Sequence, residues 1–208
     1  MHSIKKHVVV IILGITCIFS AGAQTLEKQI DPLIAAEYKP GGPGAAVLIA
    51  KGGKVIYRKA FGNANLELNV AMKPEHVFEL GSITKQFTVV SILMLMEQGK
   101  LNLEDDISKY LTDYPTKGKK ISIHQLLNHT SGIKSYTDMA NFMKLARTDM
   151  TPAELIDVFK NEPMDFDPGE KWHYNNSGYI LLGYIIEKVS GKTYADFIGQ
   201  NIFKKLGM

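Results

Sequence analysis

The chain has 208 residues, 45% of them apolar and 22% charged, the composition of an ordinary globular domain. Collagen, a long coiled coil and extended disorder are excluded as its main theme. Lys and Arg outnumber Asp and Glu 24 to 21, for a net charge of +3, and a charge this small makes no electrostatic case for nucleic acid or an anionic membrane.

The N-terminus has the pattern of an export signal. Lys5, Lys6 and His7 precede an apolar run of 12 residues, Val8 to Phe19. A bilayer span needs about 20 residues. Ala21-x-Ala23 then supplies the small residues that a signal peptidase selects. The expectation is a signal peptide over 1–23 and a mature domain over 24–208, starting at Gln24. Loss of Lys5 and Lys6 brings the net charge to about +1. The product would be periplasmic or secreted, with no stable membrane span. A membrane anchor or a buried strand is the competing reading of the run. Cys17 would allow a lipoprotein, but Gly14, Ile15 and Thr16 are a poor context for one. Cleavage removes Cys17, the sole cysteine, and with it any disulfide, thiolate metal site or cysteine nucleophile.

From Gln24 to Tyr38 the apolar residues Leu26, Ile30, Leu33 and Ile34 have helical spacing. Pro40 to Gly44 breaks it. Ala45 to Ala50 and Val55 to Phe61 are strand-like and flank Gly52-Gly53, a β-hairpin signature. Asn63 to Pro74 is polar and reads as a loop. Val77 to Leu80 is again strand-like. Ser82 to Gln98 is a long apolar helix ending at Gly99. Leu126-Leu127 sits on a short helix closed by the turn His129 to Gly132. Thr151-Pro152-Ala153-Glu154 is a capping box with Pro at the first helical position. Asn176 to Ser190 is a further apolar helix stopped by Gly191, and Thr193 to Asp196 opens another. Two strands followed by a run of helices predict an α+β fold.

Several chemistries fail on spacing. His76, His124, His129 and His173 form no H-x-H or H-E-x-x-H, which argues against a zinc hydrolase, and no metal or cofactor is expected. No serine lies in G-x-S-x-G. Gly191-Lys192-Thr193 is half a phosphate loop, but Ile186 stands where the earlier glycine is needed.

S-x-x-K occurs three times, at Ser3-Lys6, Ser82-Lys85 and Ser131-Lys134, where the serine and lysine content gives about one by chance. Ser3 lies in the leader and Ser131 in a turn. Only Ser82 opens a long helix, where a residue three positions on lies one turn above it on the same face. A serine hydroxyl needs a base to become a nucleophile, and a lysine can serve. The positive end of the helix suits a developing oxyanion. A helix cap with a solvated lysine satisfies the same residues. Tyr174-Asn175-Asn176, the single Y-x-N in the chain, adds a second cluster. Tyr174 can shuttle a proton beside Lys85, and Asn176 can hold the lysine or a substrate carbonyl. A buried tyrosine and a helix N-cap at Asn176 are the plain alternative.

Three stretches together resemble the superfamily of serine β-lactamases and penicillin-binding proteins, closest to its class C-related branch of esterases and D-alanyl-D-alanine peptidases. They are Phe78 to Phe87 (with Ser82-Ile83-Thr84-Lys85), Leu126-Leu127-Asn128-His129-Thr130-Ser131-Gly132, and Pro168-Gly169 through Tyr174-Asn175-Asn176-Ser177-Gly178-Tyr179. The resemblance implies a β-lactamase/transpeptidase-like fold. It implies that Ser82 is the acylated nucleophile, Lys85 its base, Tyr174 a catalytic proton carrier and Asn176 a substrate-binding residue. His129 falls in a stretch that resembles a framework turn. The substrate would be a β-lactam, a peptidoglycan peptide ending in D-Ala-D-Ala, or a small ester or amide.

The family's third motif, K-T-G or H-x-G on a strand near its C-terminus, has no counterpart. K-x-G occurs at Lys39-Pro40-Gly41 and Lys51-Gly52-Gly53, ahead of the nucleophile. The expectation is therefore a chain truncated at its C-terminus, holding the N-terminal hairpin of the antiparallel sheet and the helical region but not the C-terminal strands. An impaired binding or regulatory relative, or an inactive fragment, is the alternative to a working enzyme. Oligomeric state is not legible.

Overall fold

The computed structural model describes residues 26–208, so the expected leader lies outside the described residues. The chain divides at Glu79/Leu80 into two compact units.

The N-terminal unit starts with helix α1 over 26–37. Ile30 and Ile34 lie on its half-buried side, whereas Leu33 is exposed, so the apolar stripe is narrower than its spacing predicts. Strands β1 (Ala45–Lys51) and β2 (Lys54–Phe61) form an antiparallel hairpin. Its two-residue loop, Gly52-Gly53, has φ of 56° and 74°, which needs residues without a Cβ. Ile49 pairs with Tyr57 and Ala50 with Val55, which leaves Ile56 as the extra residue of a bulge. Tyr57 is buried, and its hydroxyl donates to Asp31 at 2.7 Å. Lys59 bridges Asp31 and Glu27 at 2.8 and 3.0 Å, tying α1 to the hairpin. The stretch from Asn63 to Pro74, expected as loop, contains a small ribbon of β3 (Asn63–Asn65) with β4 (Val70–Ala71). Its polar composition hides the pairing, which needs only a few backbone bonds.

In the C-terminal unit, Gly81–Ile83 forms a 3₁₀ turn that runs into α2 (Thr84–Glu97). Val77 to Leu80 is not a strand. No partner pairs with it among the described residues, and Val77, Phe78 and Leu80 are exposed. Helix α2 closes as expected at Gly99: Gly99 N–H donates to Met96 O and Lys100 N–H to Leu95 O, a Schellman cap. Then come α3 (Ile123–Leu127), the single turn α4 (Phe142–Leu145), α5 (Pro152–Phe159), α6 (Asn176–Ser190) and α7 (Tyr194–Ile198). A π-type turn at Gly199–Phe203 leads into α8 (Lys204–Leu206). The capping box at Thr151/Glu154 is formed on both sides. Gly191 ends α6, and Thr193 accepts from Asp196 N–H to cap α7, so Gly191-Lys192-Thr193 is a stop and a cap.

Helix α6 is the hub of this unit. It packs on α2, α3, α5 and α7. Leu181, Leu182, Ile185 and Ile186 are fully buried against Ile92, Leu95, Leu126, Phe159 and Phe197. Burial of each such side chain contributes about 1.5–3 kcal/mol. That packing holds the N-terminal end of α6 in a defined place beside the start of α2. After α1, strands precede and the other helices follow, the segregated α+β order expected. No strand follows Val70–Ala71 among the described residues.

Candidate active site

Ser82 lies in the exposed 3₁₀ turn ahead of α2. Neither the turn nor α2 has a side-chain N-cap, so the Ser82 hydroxyl is not spent on capping. It faces two other groups. The Tyr174 hydroxyl lies 2.5 Å from Ser82 Oγ, and Lys85 Nζ donates to Ser82 Oγ at 3.2 Å. Lys85 also donates to Asn176 Oδ1 at 2.7 Å. The four residues singled out in the sequence thus meet in one cluster, across 91 and 92 positions of chain.

The plain alternative for Asn176 does not hold. Asn175 is the N-cap of α6: its Oδ1 accepts from Gly178 N–H at 2.7 Å, and its Nδ2 donates to the Ile133 carbonyl. Asn176 is the first helical residue, free to turn its amide toward Lys85. Its Nδ2 donates to Thr137 Oγ1 at 3.0 Å, which fixes the amide with oxygen toward the ammonium. Ser135 Oγ accepts the Asn176 backbone N–H at 3.2 Å and lies 3.0 Å from Thr137 Oγ1. Ser177 is buried and accepts from Tyr136 N–H at 2.8 Å, pinning the loop that carries Thr137.

Lys85 is held between aromatic faces. Its Nζ lies 4.8 Å from the ring centre of Tyr174 and 5.2 Å from that of Tyr179. Burial pushes the Tyr174 phenol upward, but hydrogen bonding to Lys85 and Ser82 and the lysine charge outweigh it. The net result is a phenol below the ordinary tyrosine range. His129 packs against the same tyrosines, at 4.7 Å from Tyr174 and 5.2 Å from Tyr179 between ring centres.

The second S-x-x-K forms no such pair. Ser131 is buried in the turn after α3 and accepts weakly from Ile133 N–H at 3.4 Å. Lys134 is engaged with Asp165 at 2.9 Å. The chain also contains a third K-x-G, Lys205-Leu206-Gly207, which follows the nucleophile. It forms α8 and its left-handed cap, so it presents no strand.

Ser82, Lys85 and Asn176 open into a cavity of about 550 Å³ lined also by Thr88, Tyr136, Thr137, Leu155 and Tyr194. That is large enough for a small-molecule or short peptide substrate. Thr137, Ser135 and Tyr179 were not legible as site residues. Tyr179 had one signal, its place one helical turn inside α6 from Asn176; Ser135 and Thr137 are brought in by tertiary packing alone.

The Beta-lactamase family model matches residues 26–208. Penicillin-binding protein 4* of Bacillus subtilis (strain 168) is 40% identical over 168 residues, covering 78% of this chain and 36% of its own length. The octameric penicillin-binding protein homologue from Pyrococcus abyssi superposes with a TM-score of 0.73 at 37% identity, over 87% of this chain and 42% of that one. The D-stereospecific amidohydrolase from Streptomyces sp. gives a TM-score of 0.69 at 30% identity, over 84% of this chain and 52% of that one. The chain thus spans about a third to a half of the length of these relatives. The chain has the β-lactamase/transpeptidase-like α+β fold and belongs to the β-lactamase family, within the superfamily of serine β-lactamases and penicillin-binding proteins.

Proposed function

We propose that this chain carries the nucleophile of an exported serine hydrolase that works through an acyl-enzyme on Ser82. The observation that carries the reading is the pair of contacts on Ser82 Oγ, Tyr174 at 2.5 Å and Lys85 at 3.2 Å, at the mouth of the cavity. Tyr174, in its phenolate form, takes the Ser82 proton. Lys85 donates to Ser82 Oγ, lies against the Tyr174 ring and is itself oriented by Asn176. Ser82 Oγ then bonds to the substrate carbonyl carbon. The positive end of the helix suits the oxygen that gains charge. Collapse expels the leaving group, which receives the proton from Tyr174, and water later hydrolyses the Ser82 ester.

The substrate class is an activated or D-configured acyl compound: a β-lactam, a peptide ending in D-Ala-D-Ala, or a small ester or amide. The similarity to a penicillin-binding protein and to a D-stereospecific amidohydrolase supports this range. Export rests on the Lys5-Lys6, Val8 to Phe19 and Ala21-x-Ala23 pattern. Intact-mass analysis of the product from an exporting bacterium should give a chain that starts at Gln24. One that retains 1–23 contradicts export.

Hydrolysis of nitrocefin and p-nitrophenyl acetate, with Ser82→Ala as blank, tests the activity. Size-exclusion chromatography and circular dichroism alongside separate an unfolded chain from a folded one. Turnover above the blank from a monodisperse protein supports the reading. A folded, monodisperse protein with no Ser82-dependent turnover supports instead a binding or regulatory relative.

A further inference from the structure

One residue holds Tyr174 from three directions. His129 has φ 64°, the left-handed region, and its carbonyl accepts from His173 N–H at 3.0 Å. Its Nδ1 lies 3.1 Å from the backbone nitrogen of Asn175 and accepts that N–H. The backbone N–H groups of the two residues that flank Tyr174 are therefore tied to His129. Its ring also packs on the phenol, 4.7 Å between centres and tilted by 41°. A residue needed only for a left-handed turn would supply the carbonyl contact. The Nδ1 bond and the ring contact belong to the side chain.

We propose that His129 is a positioning residue for Tyr174: a neutral imidazole, protonated on Nε2, whose Nδ1 lone pair and ring hold the phenol against Ser82. The proposal rests on the assignment of Tyr174 as the acceptor of the Ser82 proton. An acceptor nitrogen facing an N–H cannot carry a proton of its own. Protonation of Nδ1 would set two donors against each other and release the Asn175 peptide. Burial, and then the charge of Lys85, hold the imidazole below the ordinary histidine range. The titratable groups that face it are Lys85 from α2, Tyr174 from the loop and Tyr179 from α6. Asp138 and Asp165 lie instead near His173, at 3.7 and 3.8 Å. His129 is thus neutral at neutral pH and becomes a liability in acid.

Two variants separate the parts. In His129→Asn the amide oxygen takes the place of Nδ1, and asparagine tolerates positive φ. In His129→Phe the ring stays and the acceptor goes. On the whole chain, imidazole ¹⁵N shifts should show an unprotonated Nδ1 at neutral pH. Exchange of the Asn175 amide should stay slow in the Asn variant and become fast in the Phe variant. Fluorophosphonate labelling of Ser82 should fall about a hundredfold in the Phe variant, the cost of a misplaced catalytic group. In wild type, labelling should also fall as pH drops through a midpoint below the usual histidine value, and that step should vanish in the Asn variant. A protonated Nδ1 at neutral pH overturns the proposal. So do variants that label at the wild-type rate with the wild-type acid limb. If wild type takes no label, the Ser82 assignment fails, and ring ¹³C titration of Tyr174 still decides the role of His129. A Tyr174 midpoint that rises toward the ordinary value in the Phe variant supports it, and an unchanged midpoint overturns it.

Discussion

Two stretches of this chain carry the same four-residue spacing and do opposite things with it. Ser82 and Lys85 stand at the entry to α2, where Ser82 meets Tyr174 and Lys85 meets Ser82 and Asn176. Ser131 and Lys134 stand in a turn where the serine is buried and the lysine is paired with Asp165. A motif fixes which residues are present, whereas reactivity depends on where their lone pairs and protons point. In the first stretch the helix brings residues three apart onto one face. In the second, Gly132 at φ 73° turns the backbone so sharply that Lys134 leaves Ser131 behind.

The largest separation between the two should come from the charged partners. Lys85→Met should slow fluorophosphonate labelling by about 10²–10⁴, the usual worth of a group that assists proton transfer. Lys134→Met should leave labelling unchanged and lower stability in urea by about 1 kcal/mol or less, as a partly exposed ion pair does. Equal labelling in the two variants would erase the distinction.

Tyr174→Phe should slow labelling by about a hundredfold or more. The sign of the pH dependence follows from the lowered phenol. The base acts when deprotonated, so labelling should rise with pH and level off above the Tyr174 midpoint, which lies below the ordinary value. A rate that climbs through the usual tyrosine range would place the proton elsewhere.

The glycines give a difference on the stability axis. A Cβ on Gly132 would sit 2.0 Å from the Phe166 carbonyl oxygen, whereas one on Gly81 would meet nothing within 4 Å. Both have positive φ. Gly132→Ala should therefore cost about 3 kcal/mol or more and threaten folding. Gly81→Ala should cost only the backbone strain, about 1–2 kcal/mol. Chemical denaturation of both variants checks the order, and a Gly81 variant less stable than the Gly132 variant contradicts it.

The smallest effect concerns the start of α5. Thr151→Ala removes the reciprocal cap of α5 and should cost about 1 kcal/mol, with Ser82 labelling unchanged.

Local signals make much of this legible in the sequence. Gly52-Gly53 set the hairpin loop, Gly99 and Gly191 set two helix ends, and Thr151 and Glu154 set a helix start. Each depends only on neighbours in the chain. The errors lie where the deciding partner is remote. Val77 to Leu80 has strand composition but no partner strand. Asn63 to Pro74 has loop composition yet pairs across a few residues. Asn175 and Asn176 are chemically alike, and only Ile133, Thr137 and Lys85 decide that the first caps the helix and the second faces the lysine. Lys205-Leu206-Gly207 shows the reverse case, a motif spacing that helical geometry empties of meaning.

The account rests on Ser82 being the residue that accepts an acyl or phosphonyl group. The most direct measurement is proteolytic mapping of the chain after reaction with a fluorophosphonate or a penicillin probe. The account predicts a single adduct on the peptide that contains Ser82, absent from Ser82→Ala. An adduct on the peptide that contains Ser131 or Ser177, or one that persists in Ser82→Ala, would contradict it.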